Sequence, residues 1–309
     1  MRDSWDFMGS CSRCMNIPKI TTHFGVDFCT KLPAAINKYA HLWGLSDFEQ
    51  VDYYSINCIF TCNSTIHGPC VLKIGSDAKA AENEWRILHE YRGRNYCKAL
   101  EADIENGVLL IERINPGTRL RDEPDLDKRL DILFELSHNL HIKPADKSVY
   151  PTYMGWVSRI TQYMRGRENH ALLCAKMLRA EKICRELCEK YPGEMLLHGD
   201  LHHDNILLDA KSGYRIVDPK GVIGDIVFDI PRFIYNEFGD AFDDNFHLKF
   251  AHITRTLAEK FNIPEYDIRR LVYVDTCMSD CWWVEDGGTF DIREVLFAEE
   301  MMDLMCSVS

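Results

Sequence analysis

The 309-residue sequence predicts an α+β protein of two lobes, a small one built on an antiparallel sheet and a large one that is mostly helical. Three observations carry this. Strand-like runs at 51–62, 69–74 and 107–114 gather in the first part of the chain. From Pro124 onward the apolar residues recur at helical spacing instead. Between the two regimes stands Asn115-Pro116-Gly117, a break suited to a hinge. Residues 1–20 show no periodicity and are expected as an irregular extension. The lobes are expected at 21–114 and 115–309.

The bulk composition excludes some partners. Apolar residues make up 46% and charged residues 27%, an ordinary globular balance. Lys and Arg total 36 against 48 Asp and Glu, a net charge of −12. Such a surface has no long-range attraction for nucleic acid or an anionic membrane, and suits a cationic small molecule as well as plain solubility. No window reaches the roughly 18 uncharged apolar residues of a membrane span. Met1 to Ile20 has no apolar core flanked like a signal peptide. With 13 irregularly spaced cysteines, this points to a cytoplasmic protein with reduced thiols. Cys11-Ser-Arg-Cys14 has no second pair at zinc-binding spacing, and Cys184 with Cys188 fits buried helix positions.

Taken in order, residues 33–43 read as a helix that starts with Pro33, places Ile36, Tyr39, Ala40 and Trp43 on one face and stops at Gly44. The runs 51–62 and 69–74 flank the polar loop Asn63 to Gly68. That loop could lie over phosphates, offering backbone amides and the Ser64 and Thr65 hydroxyls. In Val71-Leu72-Lys73-Ile74 the lysine must face away from its apolar neighbours. If that face lines a cleft, Lys73 can meet phosphate oxygens and a carboxylate from the next helix. That helix is 77–91, with Asp77 as N-cap and Trp85, Leu88 and Tyr91 along its apolar side. Glu84 is the partner chosen for Lys73 and Glu82 the alternative; alone, Lys73 would read as a snorkelling edge-strand lysine and Glu84 as a solvated helix charge. The run 107–114 ends at the Pro-Gly break, leaving backbone groups around Glu112 to Ile114 for an adenine edge. Helices are then expected at 124–141, 154–165, 169–190, 228–237, 240–262, 264–283 and 291–306. His138 and His141 are read as structural or surface residues.

The stretch from Leu196 to Pro219 organises the rest. Strand-like Met195-Leu196-Leu197 breaks at His198-Gly199-Asp200, and a hairpin follows through Ile206-Leu207-Leu208 and Tyr214 to Val217. Asp200, Asn205 and Asp218 thus frame a loop and a hairpin. A carboxylate, an amide five residues on and a second carboxylate after a hairpin suit phosphoryl transfer. The first would orient a hydroxyl nucleophile and the other two would hold Mg2+. Turn formation is the plainer role of each residue alone.

Lys73, Glu84, His198-Gly199-Asp200, Asn205 and Asp218 together resemble the aminoglycoside phosphotransferase superfamily. Within it the chain is most similar to the streptomycin 6-phosphotransferase and hydroxyurea-resistance kinase family. The resemblance extends from Lys31-Leu-Pro and Trp43-Gly-Leu through Leu109-Leu-Ile-Glu-Arg113 to Val217-Asp-Pro-Lys-Gly221 and Phe228-Asp229, about residues 25–290. It implies a protein-kinase-like fold, with a nucleotide-binding N-terminal lobe and a C-terminal lobe for catalysis and the acceptor. It also implies ATP and Mg2+ as cofactors. Asp200 becomes the catalytic base, Asn205 and Asp218 the magnesium ligands, and Lys73 the contact to the α- and β-phosphates. His202 stands where protein kinases carry a phosphate-facing lysine, and Asp204 where many relatives have glycine. The implied reaction is phosphorylation of a cationic aminoglycoside, of the streptomycin type at its 6-hydroxyl, giving antibiotic resistance. Choline, homoserine or a sugar-like compound as acceptor, and a non-catalytic nucleotide sensor, are the alternatives. Trp283, Glu285 and Asp286, in the run Asp280 to Asp286, are the candidate acceptor contacts. Glu237 belongs to a second acidic group with Asp240, Asp243 and Asp244. Solvated helix ends would explain both groups equally well. The sequence is silent on oligomeric state.

Overall fold

A computed structural model describes residues 16–51, 57–238 and 246–304. Cys11, Cys14, Asp240, Asp243 and Asp244 lie outside the described residues. The described chain divides into two compact units. One runs to Gly117 and includes Leu208–Val217; the other holds Thr118–Leu207 and the chain from Asp218 onward.

The first unit is a five-stranded sheet with helices on both faces. Helices α1 (Ile17–Phe24) and α2 (Val26–Trp43) lead into strands β1 (Leu45–Gln50), β2 (Asn57–Ser64) and β3 (Gly68–Gly75). Helix α3 (Ala78–Tyr91) and strands β4 (Ala99–Asp103) and β5 (Val108–Glu112) complete it. The strand order is β1-β2-β3-β5-β4, and every neighbouring pair is antiparallel. Strand alternation sends Cys58, Phe60 and Cys62, Cys70, Leu72 and Ile74, and Val108 and Leu110 to one face. There they bury Ile20, Leu32, Ile36, Tyr39 and Trp43 of α1 and α2. Residues of the opposite parity, Lys73 among them, take the other face.

Several local expectations are revised. A helix begins at Ile17, within the expected irregular extension, and runs on to Phe24; Asn16 caps it, accepting from the Lys19 amide at 3.2 Å. Only Ile20 of this helix is buried, so periodicity is faint. Helix α2 begins at Val26, which puts Pro33 inside it and not at its first turn. An interior proline costs about 3 kcal/mol, and the continuous stripe through Leu32, Ile36, Tyr39 and Trp43 offsets it. Of the run 51–62, expected as one strand, the described part of β2 starts at Asn57, the Val51 amide donates to the Ile59 carbonyl, and 52–56 lie outside the described residues. Strand β1 lies before this run, concealed because the register shifts between Ser46 and Glu49 and Asp47 takes a φ of 55°.

The second unit is mostly helical. Short strand β6 (Pro116–Arg119) is followed by α4 (Leu126–Leu140), α5 (Tyr153–Met164) and α6 (Ala171–Lys190). Strand β7 (Met195–Leu197) pairs antiparallel with β10 (Val222–Gly224). Between them in sequence come the hairpin strands β8 (Ile206–Asp209) and β9 (Gly213–Ile216), of which Leu208 onward belongs to the first unit. Helices α7 (Ile230–Asn236), α8 (Phe246–Phe261), α9 (Glu265–Glu285) and α10 (Ile292–Asp303) close the unit. Asp125, Thr152 and Asp291 accept backbone N–H bonds as N-caps of α4, α5 and α10. Helix α9 is the centre, packed by α5, α6, α7, α8 and α10, and buried around most of its circumference. No described helix is long and apolar enough to cross a membrane.

Gly44 ends α2 in the left-handed region (φ 60°), and its amide donates to the Ala40 carbonyl. A Cβ there would stand 2.3 Å from Thr65 Oγ1. Gly44→Ala should therefore cost about 1–3 kcal/mol, read as a lowered urea midpoint with unchanged far-ultraviolet circular dichroism.

Candidate active site

In the first unit the sheet register fixes Lys73. It pairs with Ile59 on β2 and Leu109 on β5, so its side chain leaves the sheet on the face that receives α3. That helix starts where Asp77 accepts from the Lys79 and Ala80 amides, at 2.9 and 3.1 Å. Its buried stripe is Ala81, Glu84, Ile87, Leu88 and Tyr91. Glu84 thus sits within the stripe, not beside it, and Trp85 is only half-buried against His89. Lys73 Nζ lies 2.8 and 2.6 Å from the two Glu84 oxygens, with both side chains buried. Glu82 is exposed and pairs with Arg86.

Three candidate nucleotide contacts are placed differently from expectation. Ser64 is buried; its hydroxyl donates to the Trp43 carbonyl at 2.9 Å and accepts from the Ile66 and His67 amides. Thr65 packs beside Gly44, to whose carbonyl its amide donates. Both belong to the turn before Gly68, five residues from Lys73, roughly 16 Å along a strand. Strand β1, not expected from the sequence, pairs antiparallel with β2 ahead of this turn. Glu112 is also committed: its amide donates to the Lys98 carbonyl, and its carboxylate accepts from the Lys98 amide and Arg215. Ile114 is buried just beyond β5.

In the second unit one buried carboxylate shapes the loop at 198–205. Asp229 accepts from the His198 and Gly199 amides, each at 2.8 Å, and from His141 Nε2 at 2.9 Å. Burial opposes its ionisation, but the hydrogen bond and charge of His141 and the Gly199 amide prevail and hold its pKa below the usual carboxylate range. His198 passes the order on. Its Nδ1 accepts from the Asp200 amide at 3.0 Å, and its carbonyl accepts from the Lys220 and Gly221 amides at 2.8 and 3.0 Å. Gly199 needs its missing side chain, with φ at 80° and a virtual Cβ 2.7 Å from the Trp156 ring. Asn205 Nδ2 donates to the Asp200 carbonyl at 2.9 Å. Asp200, Asn205 and Asp218 are thereby tied to one backbone knot. Asp218 adopts a left-handed φ of 58°, and Lys220 Nζ stands 2.7 Å from its Oδ2.

His202 serves this loop. Its Nδ1 accepts from the Asp204 amide at 3.3 Å, and Nε2 faces Asn205 Nδ2 at 3.2 Å. Burial pushes its pKa down to about 4, so near neutral pH it carries no charge for a phosphate. Asp204 is held bidentately by Arg121 at 2.9 Å, with Arg119 at 3.4 Å.

Beside Asp200, Arg232 of α7 places Nε 3.6 Å from Asp200 Oδ1, and meets Asp275 at 3.2 Å and Ser279 on α9. Arg232 Nε and Asp275 Oδ2 are buried and lack a hydrogen-bond partner. Arg232 and Asp275 were not singled out from the sequence, and Asp229 only as part of the Phe228-Asp229 block, with no role assigned. The signal was there: carboxylates interrupt the apolar α9 segment Leu271-Val-Tyr-Val-Asp275-Thr-Cys-Met-Ser-Asp280.

The expected acceptor contacts divide. Trp283 is 57% exposed at the end of α9, Glu285 is held bidentately by Arg159 at 2.7 and 2.8 Å, and Asp286 is the helix C-cap. Glu237 is placed elsewhere: it is buried in a network with Arg129 at 2.7 and 2.8 Å, His203 at 2.6 Å and Lys249 at 3.2 Å. Its oxygens are occupied by the protein's own cations, which removes it from acceptor binding.

The sequence model of the aminoglycoside/hydroxyurea antibiotic resistance kinases matches residues 59–287. The chain belongs to that family. Membership places it among small-molecule phosphotransferases linked to antibiotic resistance. It is 24% identical to a streptomycin 6-kinase of Streptomyces griseus over 46% of this chain and 47% of that protein. With a hydroxyurea phosphotransferase of Kitasatospora aureofaciens the identity is also 24%, over 90% of this chain and 81% of that protein. Among solved structures, the choline kinase LicA from Streptococcus pneumoniae is similar with a TM-score of 0.64 and 13% identity, covering 87% of this chain and 98% of that one. An aminoglycoside phosphotransferase APH(4)-Ia in ternary complex with ADP and hygromycin B gives 0.60 at 14% identity, covering 87% and 96%. The fold is therefore protein-kinase-like.

Two substitutions test the geometry. Glu84→Ala leaves the Lys73 ammonium buried without its counter-charge and should destabilise the fold by about 3–5 kcal/mol, measured by urea denaturation. Asp229→Ala strands two buried amides and His141, with a loss of similar size. Because the folded pKa of Asp229 lies below the unfolded value, its contribution is complete at neutral pH. It fades only as pH falls below about 4 and through the depressed folded value, so the stability gap between wild type and variant should close in acid.

Proposed function

We propose that the protein transfers the γ-phosphoryl group of ATP to a hydroxyl of a cationic aminoglycoside, of the streptomycin type at its 6-hydroxyl. The observation that carries the reading is the knot around His198, which ties Asp200, Asn205 and the Asp218-Pro-Lys segment to one buried carboxylate, Asp229. Phosphoryl transfer has a loose transition state, so catalysis rests on position and charge, and a rigid loop supplies position. In this reading residues 21–114 form the nucleotide-binding part, with Lys73, held by Glu84, at the α- and β-phosphates. Residues 115–309 form the catalytic and acceptor-binding part. Asp200 accepts the acceptor hydroxyl's hydrogen bond and orients its oxygen.

Asn205 and Asp218 fit a magnesium ion. Among the described residues no group of three or more His, Cys, Asp or Glu side chains could hold a metal by itself. Magnesium on phosphates needs fewer protein ligands, commonly one or two with the rest from phosphate and water. The Asn205 amide nitrogen is turned to the Asp200 carbonyl, so its oxygen points away from that bond. At Asp218 the Lys220 ammonium already occupies a cation's position on Oδ2. When bound, the ion would neutralise phosphate charge.

The broader match to the hydroxyurea phosphotransferase supports a second reading, in which a small neutral hydroxyl compound is the acceptor. Coupled ADP release with ATP, magnesium and a panel of streptomycin, hydroxyurea, choline and homoserine separates the readings. Turnover is expected with streptomycin, and ATP binding without turnover on any acceptor would overturn the enzymatic reading. Asp200→Ala should lower kcat by about a thousandfold and Asp218→Ala should abolish turnover, both with unchanged melting temperature. A folded Asp218→Ala enzyme with normal turnover would remove the magnesium assignment.

A further inference from the structure

Helix α9 carries three buried carboxylates, and two of them have cations. Asp267 meets Lys190 at 2.5 Å and Tyr191 at 2.6 Å, and Asp275 meets Arg232. The remaining buried carboxylates are paired as well: Glu84 with Lys73, Asp229 with His141 and Glu237 with Arg129. Asp280 differs. It is 6% exposed, its Oδ2 is buried with no hydrogen-bond partner, and it has no cation among the described residues. Burying a lone carboxylate is costly, and a fold gains nothing from it.

The charged groups whose fields reach Asp280 are carboxylates, Glu294 and Asp291. Val272, Thr276 and Asp280 follow at i, i+4 and i+8 on one face of α9. The first two line a cavity of about 180 Å³ whose other walls include Phe238, Phe246, Phe250 and Phe297. The polar wall groups satisfy one another. The Thr276 hydroxyl donates to the Val272 carbonyl at 2.9 Å, Asn236 Nδ2 to the Arg232 carbonyl at 2.9 Å, and Tyr235 Oη to Glu294 at 2.6 Å. Glu294 on α10 also lines the cavity, and its charge reaches Asp280, as does that of Asp291. Burial, with those two neighbours adding to it, pushes the Asp280 carboxyl up to about 8. Lys249 stands over the Phe238 ring and Arg269 over Phe250, while Asp280 itself receives no cation among the described residues. Aromatic walls beside two carboxylates are complementary to an apolar frame bearing a cationic donor.

We propose that Asp280, with Glu294 and Tyr235 beside it, is a cation subsite for the acceptor, taking an ammonium or amidinium-type group whose apolar frame lies against the phenylalanine-lined cavity. The subsite rests on the reading that the acceptor is cationic and deepens it. It replaces Glu237, which the fold has already used.

The test is calorimetric titration of the full chain with benzamidinium, a planar cation on an aromatic ring, for the wild type and Asp280→Asn. The expected result is binding to the wild type that weakens at least tenfold in Asp280→Asn, with a melting temperature equal to or above the wild type's. A merely structural carboxylate would lower the melting temperature when replaced. With streptomycin as acceptor, Asp280→Asn should raise KM at least tenfold while kcat changes less than threefold. No benzamidinium binding to the wild type, equal affinity in the two proteins, or a lowered melting temperature in the variant would overturn the subsite. Benzamidinium binding needs no turnover, so the two readings fail separately. Absence of streptomycin phosphorylation with Asp280-dependent binding removes the proposed acceptor and keeps the subsite; turnover with Asp280-independent binding does the reverse.

Discussion

The second unit depends on one buried carboxylate. Asp229 collects two consecutive backbone amides and an imidazole just after β7, where the chain leaves the strand. Its cost of desolvation is met by three donors, the condition under which a buried charge stabilises. What the carboxylate fixes is backbone, and backbone then fixes side chains. The His198 ring receives the Asp200 amide, and the His198 carbonyl receives the strand after Asp218. Loss of one carboxylate would release three candidate functional residues without touching any of them.

The first unit reaches a similar end by another route. Lys73 is placed by parity: one residue earlier or later on β3 and its ammonium would be driven into the core formed by Leu72 and Ile74. Glu84 is placed by a helix whose start is set by Asp77 and whose buried stripe contains the carboxylate. Each member would be costly to bury alone, and each is held by its own element. The pair is therefore specified twice, by sheet register and by helix phase.

Much of this was legible in the sequence, and the failures have physical causes. Helical periodicity after Pro124 gave seven helices, and where their ends are described the boundaries differ by a few residues; the expected start at 240 and end at 306 lie outside the described residues. Lys73 and Glu84 could be paired because strand and helix periods are independent and both were clear. Strand β1 was hidden by a bulge, and β4, Ala-Leu-Glu-Ala-Asp, by residues with little strand preference. Without β1, the turn at Ser64 and Thr65 reads as the first hairpin loop of the sheet. Glu237 was misplaced for a different reason. An acidic residue near a helix end reads as solvated, and nothing local announces that Arg129, His203 and Lys249 converge on it from distant parts of the chain.

Helix α9 shows how to separate the two meanings of a buried charge. A helix surrounded by others should be apolar all round, so each of its carboxylates calls for a reason. Asp267 has one in Lys190 and Tyr191, and Asp275 has one in Arg232, which also stands beside Asp200. Both acids are explained within the protein. Among the described residues Asp280 has neither cation nor amide, and its neighbours Glu294 and Asp291 carry the same sign. Sequence cannot draw this distinction, because all three are acids in one amphipathic-looking run. Pairing draws it, since a carboxylate left unpaired by the protein must find its counter-charge outside the protein or stay protonated.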